Sequence, residues 1–136
     1  MSTPYVVVVD DDEVIRLNIY KKLSRLNCQV RSFDSGEALV EFFANQGQEP
    51  DVILLDYQMR GMNGVETLRV VRKFTSVPAI ILTAYAGRIN PQEVKKLGSC
   101  VVMVKTVDLD VLHSIVNVAI AIKKMRSHNH DQEPRV

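Results

Sequence analysis

Short apolar runs alternate with helix-period stretches along the chain, and this alternation restricts the fold more than any other feature. Residues 5–9, 28–33, 52–55, 79–82 and 101–104 read as buried strands. Between them residues 13–26, 36–45, 63–73 and 91–97 carry helical spacing, and a last helix runs from residue 109 to about 126. The first, third and fourth runs are continuously apolar rather than alternating, as strands are when helices cover both faces of a parallel sheet. The expected fold is α/β, a doubly wound (βα)5 unit around a five-stranded parallel sheet.

With 136 residues the chain suits one domain that can bury a core without staples. That domain is assigned to residues 4–126, and the polar, aperiodic stretch 127–136 is expected to be a disordered tail. A net charge of +1 lacks the broad basic footprint of a nucleic-acid binder, so no direct nucleic-acid binding is expected. No apolar run approaches membrane-spanning length and no basic leader precedes one, which makes a cytoplasmic location without membrane association the expectation. Cys28 and Cys100 lack metal-ligand spacing and read as buried thiols.

The chemistry gathers where the strands end. Val6 to Val9 run directly into Asp10, Asp11, Asp12 and Glu13. Crowded carboxylates raise one another's pKa and need a cation among them, and an oxygen-only donor set suits a hard ion such as Mg²⁺. The third run ends at Asp56, the fourth at Thr83 and the fifth at Lys105. Ligands of open parallel sheets bind beyond the carboxyl ends of the strands, so these groups share one edge. Together they suit phosphoryl transfer. A carboxylate attacks phosphorus to form an acyl phosphate, and neighbouring acids hold a metal that neutralises the transferring group. Asp56 is the natural nucleophile, with the Thr83 hydroxyl and Lys105 ammonium available to the phosphoryl oxygens.

Four stretches, Val-Val-Asp-Asp-Asp-Glu (8–13), Leu-Leu-Asp-Tyr-Gln-Met-Arg-Gly-Met-Asn-Gly (54–64), Leu-Thr-Ala-Tyr (82–85) and Val-Lys (104–105), match in order and spacing a known pattern. The chain resembles the CheY-like receiver domains of bacterial two-component response regulators, over residues from about 4 to 124. The resemblance implies a flavodoxin-like strand order of 2-1-3-4-5. It implies that Asp56 accepts a phosphoryl group from a sensor histidine kinase or a histidine phosphotransfer protein and then switches binding to a downstream effector. It further implies that Asp11 and Asp56 bind Mg²⁺ directly, with Mn²⁺ as a substitute, that the main-chain carbonyl of Gln58 is a third ligand, and that Asp10 acts through water. Thr83 and Lys105 would grip the phosphoryl group. Asp12 and Glu13 fall outside the acidic pair and read as helix-start acids. The implied protein catalyses only its own phosphorylation and dephosphorylation and is otherwise no enzyme, and no output domain is expected after Arg126.

The chain departs from the family pattern at three places. Arg60 replaces a usual proline, Thr106 replaces the proline after the strand-five lysine, and Val102 stands where the family often has an aromatic switch residue. Two rival readings follow. A degenerate receiver would act as a phosphorylation-independent interaction module. A Mg²⁺-dependent phosphohydrolase would use an aspartyl nucleophile on a small molecule, though such enzymes usually place that residue after the first strand.

The apolar positions of the last helix cover an arc of roughly 220°, about twice what a core-facing stripe needs. The surplus side, Val111, Val118, Ile122 and Met125, points to a homodimer through the last two helices or to a downstream partner. Lys123 falls on the core-facing angle, so the helix is expected to outrun the domain there.

Overall fold

The computed structural model describes residues 3–105 and 108–132, apart from the side chains of Ala86, Leu109, Leu112 and residues 126–132. Strands β1 (Tyr5–Val9), β2 (Gln29–Phe33), β3 (Val52–Asp56), β4 (Ala79–Thr83) and β5 (Cys100–Val104) alternate with helices α1 (Glu13–Arg25), α2 (Gly36–Ala44), α3 (Gly64–Val71), α4 (Pro91–Lys95) and α5 (Leu109–Gln132). All strand pairs are parallel and the order is β2-β1-β3-β4-β5, as the family resemblance implies.

The sheet separates two apolar layers, because successive side chains of a strand point to opposite faces. On one face Val7, Val9, Ile53, Leu55 and Ile81 pack under α2 and α3 through Leu39, Phe43, Val65 and Leu68. On the other, Val6, Val8, Leu54, Ile80 and Leu82 pack under α1 and α5 through Ile19, Leu23, Val116 and Ile120. β1, β3 and β4 are buried along their whole length, which explains their unbroken apolar runs.

Capping sets the helix starts. Asp12 caps α1 by accepting the N–H groups of Val14 and Ile15 at 2.9 and 3.3 Å, and Glu13 lies in the first turn, as expected of helix-start acids. Asp108 accepts the N–H of Asp110 at 2.7 Å at the start of α5. Asn90 caps α4 with Pro91 behind it. A reciprocal capping box joins Asn63 and Glu66 at the start of α3. α4 is shorter than its sequence pattern because Lys96 and Leu97 close with i→i−3 bonds to Glu93 and Val94 ahead of Gly98.

Two expectations about the carboxyl end change. The helix does not stop near residue 126; its backbone remains helical to Gln132, through residues 127–132 of the stretch expected to be a disordered tail. Residues 127–132 contain no Gly or Pro, so nothing in them breaks a helix already nucleated upstream. Pro134 lies outside the described residues. Lys123 does not mark a helix leaving the domain: its Nζ donates to the Pro50 carbonyl at 2.9 Å and lies 3.5 Å from Asp51 Oδ1, so it fastens α5 to the base of β3. A long stem along the core with its charge at the rim satisfies both the angle and the solvation of the ammonium. Val102 is half-buried against the layer under α2 and α3, in a simple packing role. The peptide between Lys105 and Thr106 lies outside the described residues.

Candidate phosphoacceptor site

The sheet register builds the site. Val9 pairs with Leu55, so Asp10 and Asp56, each one residue further on, emerge side by side. Asp56 pairs with Leu82 and Thr83 with Val104, which brings Thr83 and Lys105 to the same edge. Two backbone bonds tie the loops there: Tyr57 N–H to Leu82 O at 2.8 Å and Lys105 N–H to Thr83 O at 2.6 Å. Gly64 starts α3 against the backbone of Asp56, where a Cβ would stand 2.7 Å from the Asp56 carbonyl oxygen. A side chain at position 64 would therefore push α3 away from the site.

Lys105 is the hub. Its Nζ lies 3.0 Å from Asp10 Oδ2 and 3.1 Å from Asp56 Oδ2, and both carboxylates are nearly inaccessible to solvent. Burial pushes the Asp56 carboxyl up to about 6 and the neighbouring Asp10 adds to the rise, while Lys105 and the Gln58 backbone hydrogen bond hold it down. Burial by itself would lower the Lys105 pKa, but hydrogen bonds to Asp10 and Asp56 outweigh it and raise the value. One cation thus serves two buried acids.

Asp10 is occupied on both oxygens, by Lys105 on Oδ2 and by the Asp12 N–H at 2.9 Å on Oδ1. Its carbonyl accepts from Arg16 Nη1 at 2.7 Å. Asp11 is less buried, and its Oδ2 accepts the main-chain N–H of Arg60 at 3.1 Å with Arg60 Nε at 3.7 Å. Asp10, Asp11 and Asp56 each offer a carboxylate oxygen within 4.8 Å of the others, a hard donor set that fits a divalent ion such as Mg²⁺.

Thr83 and Gln58 reach the same edge but stand apart from this cluster. The Thr83 hydroxyl is turned toward its own loop, donating to the Tyr85 carbonyl at 3.3 Å and accepting the Tyr85 N–H at 3.2 Å. The Gln58 side chain is exposed and accepts from Arg88 Nη1 at 3.4 Å.

One residue with a part in the site has no sequence signal. Glu37, in the first turn of α2, accepts the Met62 N–H at 3.2 Å, and its carboxylate fills the place where a Cβ on Gly61 would lie. It ties down the loop that carries Gln58 and Arg60. In the sequence Glu37 looks like any acid at a helix start.

The sequence profile of the response regulator receiver domain matches residues 6–117. The chain belongs to that family. This receiver domain is 29% identical over 122 residues to regulatory protein AtoC of Escherichia coli (strain K12), a match covering 89% of the chain and 26% of AtoC. It is 27% identical over 124 residues to sporulation initiation phosphotransferase F of Bacillus subtilis (strain 168), covering 90% of the chain and 98% of that protein. The chain spans about a quarter of the length of AtoC and of the DNA-binding transcriptional regulator NtrC of E. coli. Among solved structures it is similar to the N-terminal domain of a response regulator/sensory box/GGDEF 3-domain protein from Carboxydothermus hydrogenoformans, with a TM-score of 0.81 at 26% identity, covering 91% of this chain and 99% of that one. A CheY-like receiver domain protein from Methanospirillum hungatei JF-1 shares the fold, with a TM-score of 0.82 at 19% identity, covering 92% of this chain and 99% of that one. No helix among the described residues is long and apolar enough to cross a membrane.

Proposed function

We propose that this receiver domain is a cytoplasmic phosphorylation switch in which Asp56 takes a phosphoryl group from a phosphohistidine on a sensor kinase or a histidine phosphotransfer protein. An ionised Asp56 oxygen attacks phosphorus; the O–P bond forms as the P–N bond breaks, and the electron pair stays on the departing imidazole nitrogen. Asp11 and Asp56, with the main-chain carbonyl of Gln58 and with Asp10 through water, would hold a Mg²⁺ or Mn²⁺ ion, which would neutralise charge on the transferring group. Asp10 suits the water-mediated place because both of its oxygens already have partners. Lys105 exchanges its contact with a bare carboxylate for one with a phosphoryl oxygen. The Thr83 hydroxyl, once it leaves the Tyr85 backbone, supplies a further donor, and that rearrangement carries the signal into the loop after β4.

The observation that carries this reading is the buried Asp56 carboxyl bridged to Asp10 through Lys105. Incubation with acetyl phosphate and Mg²⁺ followed by intact mass measurement is expected to yield one phosphoryl adduct, lost in Asp56→Asn. Absence of an adduct in the wild type would favour a phosphorylation-independent interaction module.

The partner surface lies on α5 and the edge strand β5. Val111, Val118, Ile122 and Met125 are 50, 57, 40 and 63% exposed, and Val101 of β5 is exposed beside Val118 and Ile122. Val118 and Ile122 also border an apolar cleft of about 110 Å³ against Pro78 and Val101. Such a surface suits a second copy of the chain or a downstream effector. Sedimentation over a range of concentrations, with and without phosphorylation, distinguishes them: a monomer throughout would leave the effector.

A further inference from the structure

We propose that Arg60 is a built-in competitor for the metal, holding Asp11 while no divalent ion is bound and so setting the Mg²⁺ concentration at which the site loads. The inference rests on the reading of Asp11 as a metal ligand.

Two different cations serve the three carboxylates of the site. Lys105 bridges Asp10 and Asp56, but Asp11 is met by Arg60, whose Nε lies 3.7 Å from Oδ2. The Arg60 side chain is 91% exposed, and Asp11 is its only ion-pair partner among the described residues. Releasing it therefore uncovers no buried charge. A divalent ion that uses an Asp11 oxygen would face the guanidinium as a like charge at close range. Binding of either cation then weakens the other by the same factor.

The backbone separates this electrostatic role from loop position. The Arg60 main-chain N–H donates to Asp11 at 3.1 Å whatever side chain the residue carries, and the next turn of the loop is tied to Glu37 through the Met62 N–H at 3.2 Å. Substitution of Arg60 by Ala removes the competing charge and leaves both bonds in place.

Calorimetric titration of the full chain with MgCl₂ tests the proposal without any phosphoryl donor. Arg60→Ala is expected to bind Mg²⁺ about three- to fivefold more tightly than the wild type at low salt, the range of an exposed ion pair. The gap is expected to close as added KCl screens that pair. Arg60→Lys, which keeps the charge, is expected to stay within about twofold of the wild type. Wild-type binding that is lost in Asp11→Asn but unchanged or weaker in Arg60→Ala would overturn the Arg60 role alone. A wild type that binds no Mg²⁺ would overturn the metal-ligand reading and the inference with it.

Discussion

The two edges of the sheet use similar charged residues to opposite effect. At the amino edge Arg72 donates to the carbonyls of Leu97, Thr75, Val77 and Ser99, joining the end of α3 to the loops that enter β4 and β5. Asp51 accepts the Tyr5 N–H at 2.8 Å and pairs with Lys123, and Thr75 donates to Glu49. There the charges satisfy backbone groups and hold connections together. At the carboxyl edge the buried acids outnumber the half-buried cation: Asp10 and Asp56 share Lys105, and Asp56 is left with a carboxyl raised to about 6. An edge whose charges are matched supports structure, and one with surplus buried carboxylate is prepared for a ligand that supplies positive charge.

Substitutions at the two edges sharpen this contrast. The largest effect is expected from Arg72→Ala, which strips the guanidinium from four carbonyls and should lower unfolding free energy by about 4 kcal/mol. Urea denaturation measures the loss. Adduct formation with acetyl phosphate should persist at temperatures where the variant stays folded, and its disappearance there would break the division between the edges.

Asp56→Asn should move stability the other way. Because the folded pKa of Asp56 is raised from 3.8 to about 6, its bound proton stabilises the fold below about pH 3.8, and that contribution is lost as pH rises through about 6. The neutral amide is spared this loss. In metal-free buffer Asn at this position should therefore stabilise the protein by about 2 kcal/mol at neutral pH, with the gain vanishing near pH 4. Urea unfolding at the two pH values checks it, and a destabilised variant at neutral pH would show that Lys105 fully offsets the burial of Asp56.

The smallest effect, about 1 kcal/mol, is expected from Glu37→Ala, which removes an acceptor from the Met62 N–H and an acid from the start of α2. Faster hydrogen exchange at the Arg60 and Met62 amides would accompany it if Glu37 positions the loop. Unchanged exchange would reduce Glu37 to a helix-start acid.

Local chemistry made much of the molecule legible before any coordinates. Unbroken apolar runs mark strands covered on both faces, Asp12 caps the helix its position suggests, and Asp10, Asp11, Asp56, Thr83 and Lys105 stand where the strands end. Legibility failed where distant segments meet or where a helix has no local stop. The extension of α5 to Gln132 needed no signal beyond the absence of a breaker, and Lys123 gave up its expected free position because Pro50 and Asp51 lie beneath it.

The sequence by itself determined the (βα)5 order and which polar residues end the strands, because periodicity, capping and strand termination act within a few residues. Only the tertiary structure decided who partners whom. Arg60 meets Asp11 across 49 positions, Glu37 holds Met62 across 25, and Lys105 joins two acids from different strands. No spacing rule along the chain encodes these pairs, since they exist only after the parallel sheet has brought the strand ends into register.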